Sequence, residues 1–148
     1  RDLKANEVQV VSGNKQVATA VGSGQAVFGL TDTDDAMGEI EAGNPVAIIY
    51  PDRESGELGT LFIPNTLVMI KGAPHPTEAA ELAGLIVSPD VESRLADGPS
   101  AQIPLLTGAK RPARVETPQT VHPMEVNFQD AVKFWDVAKT FLASEFSE

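Results

Sequence analysis

Three carboxylates fall within four consecutive residues of this chain, Asp32-Thr33-Asp34-Asp35. Carboxylate oxygens are hard donors that suit a cation, whether a metal ion or an ammonium group. The same residues also suit the start of a helix, where Asp and Thr accept hydrogen bonds from free N–H groups and negative charge is favoured by the helix dipole. The turn is therefore either an acidic helix cap or a site for something cationic. An EF-hand is excluded by register: a calcium loop counted from Asp32 would need an oxygen ligand at Ala36 and a glycine at Met37.

Other chemistry is sparse. His75 lies between Pro74 and Pro76, and His122 precedes Pro123, with no second histidine or acid at metal-ligand spacing. Gly22-Ser23-Gly24-Gln25-Ala26 follows a helix and precedes a strand, the reverse of the order a phosphate-binding glycine loop needs, so it reads as a turn. Ser12-Gly13-Asn14 at a strand-to-helix junction offers N–H groups to an anion, as any helix start does. There is no Gly-x-Ser-x-Gly elbow and no cysteine, so thiolate nucleophiles, disulfides and cysteine-based zinc sites are excluded. These absences point away from an enzyme.

The elements around the acidic turn read as alternating strands and helices. Val8–Ser12, Ala26–Thr31 and Val46–Tyr50 are short apolar runs with β-forming residues. Between them lie a helix from about Asn14 to Gly22 and a helix from Asp32 or Thr33 to Ala42, closed by Gly43. This order predicts an α/β class with parallel strands, and the acidic turn at the carboxyl end of one of them. Further strands are expected at Thr60–Ile63 and Thr66–Ile70, and helices at Thr77–Val87 and from Ser88-Pro89-Asp90 to Gly98. Residues 98–126 hold Pro99, Pro104, Pro112, Pro118 and Pro123 and show little periodicity. A last helix over 128–145 carries a broad apolar face with Phe128, Trp135 and Leu142, Trp135 being expected in the core and Phe134 and Phe141 widening the face.

The whole chain has 148 residues, enough for one domain with a core, and a formal net charge of −10 from 11 Lys and Arg against 21 Asp and Glu. Binding to nucleic acid is excluded on that charge, since phosphate neutralisation needs clustered bases. No apolar run reaches the length of a membrane span. The chain starts at Arg1 without methionine or signal peptide, which fits a processed start or a piece of a longer chain.

A series of segments resembles the periplasmic solute-binding proteins of ABC importers, in the branch described as ferric-iron-binding. It comprises Val10-Val11-Ser12-Gly13-Asn14, Ala20-Val21-Gly22-Ser23-Gly24-Gln25-Ala26-Val27-Phe28-Gly29-Leu30-Thr31-Asp32, Gly59-Thr60-Leu61, Lys71–Pro76, Leu85–Glu92 and Ala101-Gln102-Ile103-Pro104-Leu105. The resemblance implies a type II periplasmic-binding-protein-like fold, two α/β lobes joined by a hinge, of which this chain is the carboxyl-terminal half. Residues 1–50 would be the β-α-β-α-β end of lobe 2, 51–63 the hinge crossing, and 64–148 the closing part of lobe 1. The implied function is extracytoplasmic solute capture, with a small solute or metal ion and an ABC permease in the membrane as partners. The protein would be periplasmic or extracellular, associated with the membrane through its transporter.

Ferric-binding relatives carry two adjacent tyrosines shortly after the Gly-Leu pair, and both phenolates bind iron. Asp34 and Asp35 stand at those positions here, and the only tyrosine is Tyr50. By resemblance the ligand-binding residues are Thr31, Asp32, Thr33, Asp34 and Asp35, with Asp34 and Asp35 as metal ligands and the metal as transported cargo rather than cofactor. The cargo is iron or another metal cation; the alternatives are an organic cation or other small solute, or, in a different class, an enzyme or regulatory effector domain on the same fold. The exposed apolar face of the last helix is expected to be covered by a second copy of the chain or by rearrangement.

Overall fold

The structure, a computed structural model, describes residues 1–146. In chain order the helices are α1 (Asp2–Ala5), α2 (Asn14–Gly22), α3 (Thr33–Glu41), α4 (Pro76–Ile86), α5 (Pro89–Asp97), α6 (Phe128–Lys133) and α7 (Trp135–Phe146). The last two positions of the expected 64–148 unit lie outside the described residues.

Local signals account for most helix ends. Gly13, with extended backbone, is the cap residue of α2, so the expected cap Asn14 becomes its first residue. Asp32 begins α3 from an extended conformation (φ −91°, ψ 168°), and Gly43, at φ 81°, takes the left-handed turn after it. Ser88 caps α5 as its sequence predicts: its hydroxyl accepts from the Val91 N–H at 3.4 Å, and Pro89 takes the first helical position. Gly98 ends α5 in an extended rather than a left-handed conformation.

The last helix departs from expectation. It is two helices, α6 and α7, separated at Phe134. The Phe134 N–H donates to the Ala131 carbonyl three residues back, which tightens the turn and re-aims the chain. Asn127 starts α6, its side chain accepting from the N–H groups of Gln129 and Asp130. Trp135, expected in the core, is 67% exposed. Nothing among the described residues covers it. The amino-terminal turn does reach α7, where the Arg1 guanidinium stands 5.9 Å from the Phe141 ring centre and Arg1 and Lys4 pair with Glu145.

The expected strands are corrected outright. Residues 8–12, 26–31, 46–50, 60–63 and 66–70 form no sheet among the described residues. A strand is completed by its neighbour, and these segments have none. Val27 and Ile49, which would be sandwiched in a parallel sheet, are 94% and 84% exposed. The one β contact among the described residues is an isolated parallel bridge between Thr60 and Pro123.

Burial is correspondingly small. Among the described residues the buried apolar side chains are Ala18, Ala96, Ala101 and Val121, and the buried polar ones are Glu39 and Thr60. The surface measures 11533 Å², whereas a compact chain of this mass exposes about 7,300 Å². The excess is larger than a whole ordinary protein–protein interface of about 1,200–2,000 Å².

Around the bridge the backbone is tightly made. Thr60 N–H donates to the His122 carbonyl at 2.8 Å, Met124 N–H to the Thr60 carbonyl at 2.9 Å, and His122 N–H to the Arg53 carbonyl at 2.8 Å. The Thr60 hydroxyl donates to the Pro51 carbonyl at 2.7 Å. Gly59 makes the approach feasible: its φ is 95°, and a Cβ there would lie 2.5 Å from the Met124 nitrogen. Gly59→Ala should therefore destabilise the chain by about 1–3 kcal/mol through the left-handed backbone alone. Chemical denaturation checks this, and an unchanged midpoint would contradict the geometry.

Candidate functional site

The acidic turn sits where α3 begins, and α2 positions it. The two helices pack on each other through small residues of α2, Ala18 and Gly22, both buried. Glu39 of α3 is the fastening. Only 7% exposed, its carboxylate accepts from the Thr19 hydroxyl at 2.9 Å, from Lys15 Nζ at 3.2 Å and from Asn44 Nδ2 at 2.6 Å. The hydrogen bonds from Thr19, Lys15 and Asn44 hold its carboxyl below the usual value. A Cβ on Gly22 would stand 2.6 Å from Glu39 Oε2, so a glycine is what lets α2 come this close.

With α3 fixed, Asp32, Asp34 and Asp35 converge. One carboxylate oxygen from each lies within 4.8 Å of the others. None of the three acts as the expected side-chain cap at the Asp32 position; the Asp32 carboxylate instead accepts from Asn14 Nδ2, across the start of α2. Asp34 Oδ1 accepts from the Asp35 N–H at 3.1 Å, a local bond at the first turn. The Thr31 hydroxyl is committed to the Asn14 carbonyl at 3.0 Å, and Thr33 is the half-buried first residue of α3. Of the five sequence candidates, three thus offer carboxylates to one point and Thr31 ties the approach to α2.

Electrostatics divide the three acids. At Asp32, partial burial pushes the carboxyl up, but hydrogen bonds from Asp34 and Asn14 bring it below its ordinary value. Asp34 moves the other way: burial raises it, and both the hydrogen bond with Asp32 and that residue's charge raise it further. Asp35 is raised as well, by desolvation first and then by the charge of Asp32, with Lys15 opposing. The turn holds more negative charge than its surroundings neutralise, which is the condition a bound cation would relieve.

Two residues that sequence spacing does not single out reach the site. Gln102 Nε2 donates to Asp34 Oδ2 at 3.4 Å, and Asn65 Nδ2 donates to Gln102 Oε1 at 2.8 Å. These amides come from segments far along the chain, so only the fold brings them here. A cavity of about 410 Å³ lies further along α3 and is lined by Met37, Ile40, Ile48, Tyr50 and residues 113–116 rather than by the aspartates. Burial raises the Tyr50 phenol, whose oxygen accepts from the Glu116 N–H at 3.1 Å. His75 is the cap residue of α4, and the described hydrogen bonds of His122 are made by its backbone in the bridge to Thr60 and Arg53.

Because the Asp34 carboxyl is raised above its ordinary 3.8, the folded chain holds that proton more tightly than the unfolded chain does. This contribution is present below pH 3.8 and is lost as pH rises through the folded value. Asp34→Asn removes a like charge and keeps an amide oxygen for the Asp35 N–H. It should raise the melting temperature slightly at pH 7, on the scale of about 0.2–0.5 kcal/mol for like-charged neighbours, and leave it unchanged well below pH 3.8. Thermal melts at the two pH values check this, and a lower melting temperature at pH 7 would contradict it.

Against known families, residues 1–123 match the family described as bacterial extracellular solute-binding protein. No curated protein and no solved structure matches the chain. Among the described residues no helix is long and apolar enough to cross a membrane. Membership implies a small solute as ligand, an ABC permease as partner and a place outside the cytoplasm, and the ferric branch expected from the sequence is not distinguished by it. With the match spanning most of its length, the chain belongs to the bacterial extracellular solute-binding protein family of ABC-type transport.

Proposed function

We propose that the solute is a cation, taken at the start of α3 by Asp32, Asp34 and Asp35, with Thr31 and Thr33 shaping the approach. The observation that carries this reading is the convergence of three carboxylate oxygens within 4.8 Å, with Asp34 and Asp35 both raised above their ordinary values. Carboxylates favour a hard metal ion, iron or another, and Asp34 and Asp35 would be its ligands. In place of the phenolates of ferric-binding relatives, the site supplies carboxylates, with Gln102 donating to Asp34 and Asn65 donating to Gln102. An organic cation is the competing cargo.

On this reading residues 1–50 belong to one lobe, 51–63 cross the hinge and 64–148 close the other lobe. The solute sits between them, and closure follows because it binds one hinge state better than the other. The closed form is what the permease receives. The exposed faces of Phe28, Ile49 and Trp135 support a fold completed by further strands and helices, either of the same polypeptide or of a second copy.

The test pairs binding with stability in Asp34→Asn/Asp35→Asn. Asn starts helices about as well as Asp, and the charge lost near the helix dipole is offset by relief of the repulsion among the three aspartates. Calorimetric titration with calcium, ferric citrate and a polyamine should find a cation bound by the parent and bound at least about tenfold more weakly by the variant, a loss of about 1.4 kcal/mol. The melting temperature should barely move. Binding that is equal in both proteins would reduce the aspartates to a solvated helix start, and preference for the polyamine over both metals would assign the cargo to organic cations.

A further inference from the structure

Arg114 occupies a junction between three parts of the chain. Its Nε donates to the Ala96 carbonyl at 3.1 Å and its Nη2 to the Gly98 carbonyl, so the guanidinium closes the carboxyl end of α5. The Ala96 carbonyl lies at the negative end of the helix dipole and has no other partner among the described hydrogen bonds, while the Gly98 carbonyl also accepts from the Ala101 N–H at 3.0 Å. The third arm, Nη1, meets Glu41 Oε1 at 2.7 Å at the end of α3. Glu41 and Arg114 are separated by 73 positions. Two residues on, Glu116 accepts from Arg53 at 3.2 Å and its N–H donates to Tyr50, tying the same segment to the end of the 46–50 run.

This arrangement is more than a surface ion pair. An isolated pair of half-exposed charges is worth little because two flexible side chains must be ordered to form it. Here two backbone carbonyls have already fixed the guanidinium plane, so only Glu41 remains to be ordered. The pair also spans a gap. Met37 and Ile40 of α3 form one wall of the cavity of about 410 Å³, and Ala113 to Glu116 form the other.

We propose that Arg114 is a latch: held permanently by the end of α5, it sets the position of α3 through a releasable ion pair with Glu41. Since α3 begins at the acidic turn, the latch fixes where Asp34 stands relative to the α4–α5 unit. Releasing Glu41 leaves α3 tied to the α5 side by the long 3.4 Å hydrogen bond from Gln102 to Asp34, with the Glu39 fastening to α2 intact. The proposal concerns the chain without solute and does not depend on what the aspartates bind.

The chain has no cysteine, so Ala42→Cys and Leu95→Cys, both at exposed positions, give a unique pair of nitroxide labels on the ends of α3 and α5. Double electron–electron resonance should show one narrow distance distribution at low salt. Glu41→Gln should widen it at least twofold, as should 1 M salt in the parent, where the screening length falls to about 3 Å. Arg114→Met should widen it too and loosen the last turn of α5, read by faster exchange of the Gly98 amide. If Arg114→Met loses helical signal in circular dichroism, the exposed Glu41→Gln substitution decides alone. A distribution that Glu41→Gln leaves unchanged would overturn the latch. Because the measurement uses no solute, that result would leave the cation reading of the acidic turn untouched.

Discussion

One buried carboxylate organises the pairing of α2 with α3 and, through it, the acidic turn. Glu39 gathers Thr19 and Lys15 from α2 and Asn44 from the turn beyond α3. A charge this far from water is costly unless it is fully partnered, and three donors meet that condition. The register of α3 against α2 follows, since sliding either helix would strand the carboxylate. From that register come the proximity of Asn14 to Asp32 and the direction in which Asp34 and Asp35 leave the first turn. Gly22 belongs to the same constraint, because any side chain there would displace Glu39.

Beyond the α2–α3 pair, cohesion comes from seams rather than from a core. The chain is held across its length by the Thr60–Pro123 bridge, by the Arg53–Glu116 pair and by Arg114. Large apolar side chains such as Phe28, Ile49 and Trp135 contribute only a minor part of the roughly 1.5–3 kcal/mol that full burial of each would provide.

Helices were readable from the sequence because their signals are local. Ser88-Pro89, Gly43 and the acids after Asp32 mark ends within a few residues, and those ends lie within a residue or two of where they were expected. Strands were not, because an apolar run announces only a willingness to pair. Residues 26–31 and 46–50 have the composition of central strands and, among the described residues, no partner. The acidic cluster was legible as a cluster, since its members are adjacent in sequence. Its connection to Gln102 and Asn65 was not, and no spacing rule could have found amides brought in from so far along the chain. Glu39 was hidden for a related reason: an acid in a helix normally faces water, and only the fit of Gly22 and Thr19 against it turns it inward.

The central proposal is that the acidic turn holds a cationic solute. Native mass spectrometry of the protein isolated from its source without denaturation tests this most directly, because a captured solute then travels with the chain. A metal ion or an organic cation retained by the protein, and released as the solution is acidified through the carboxylate range, is the predicted result. Retention of an anionic or neutral solute, unaffected by that acidification, would contradict it.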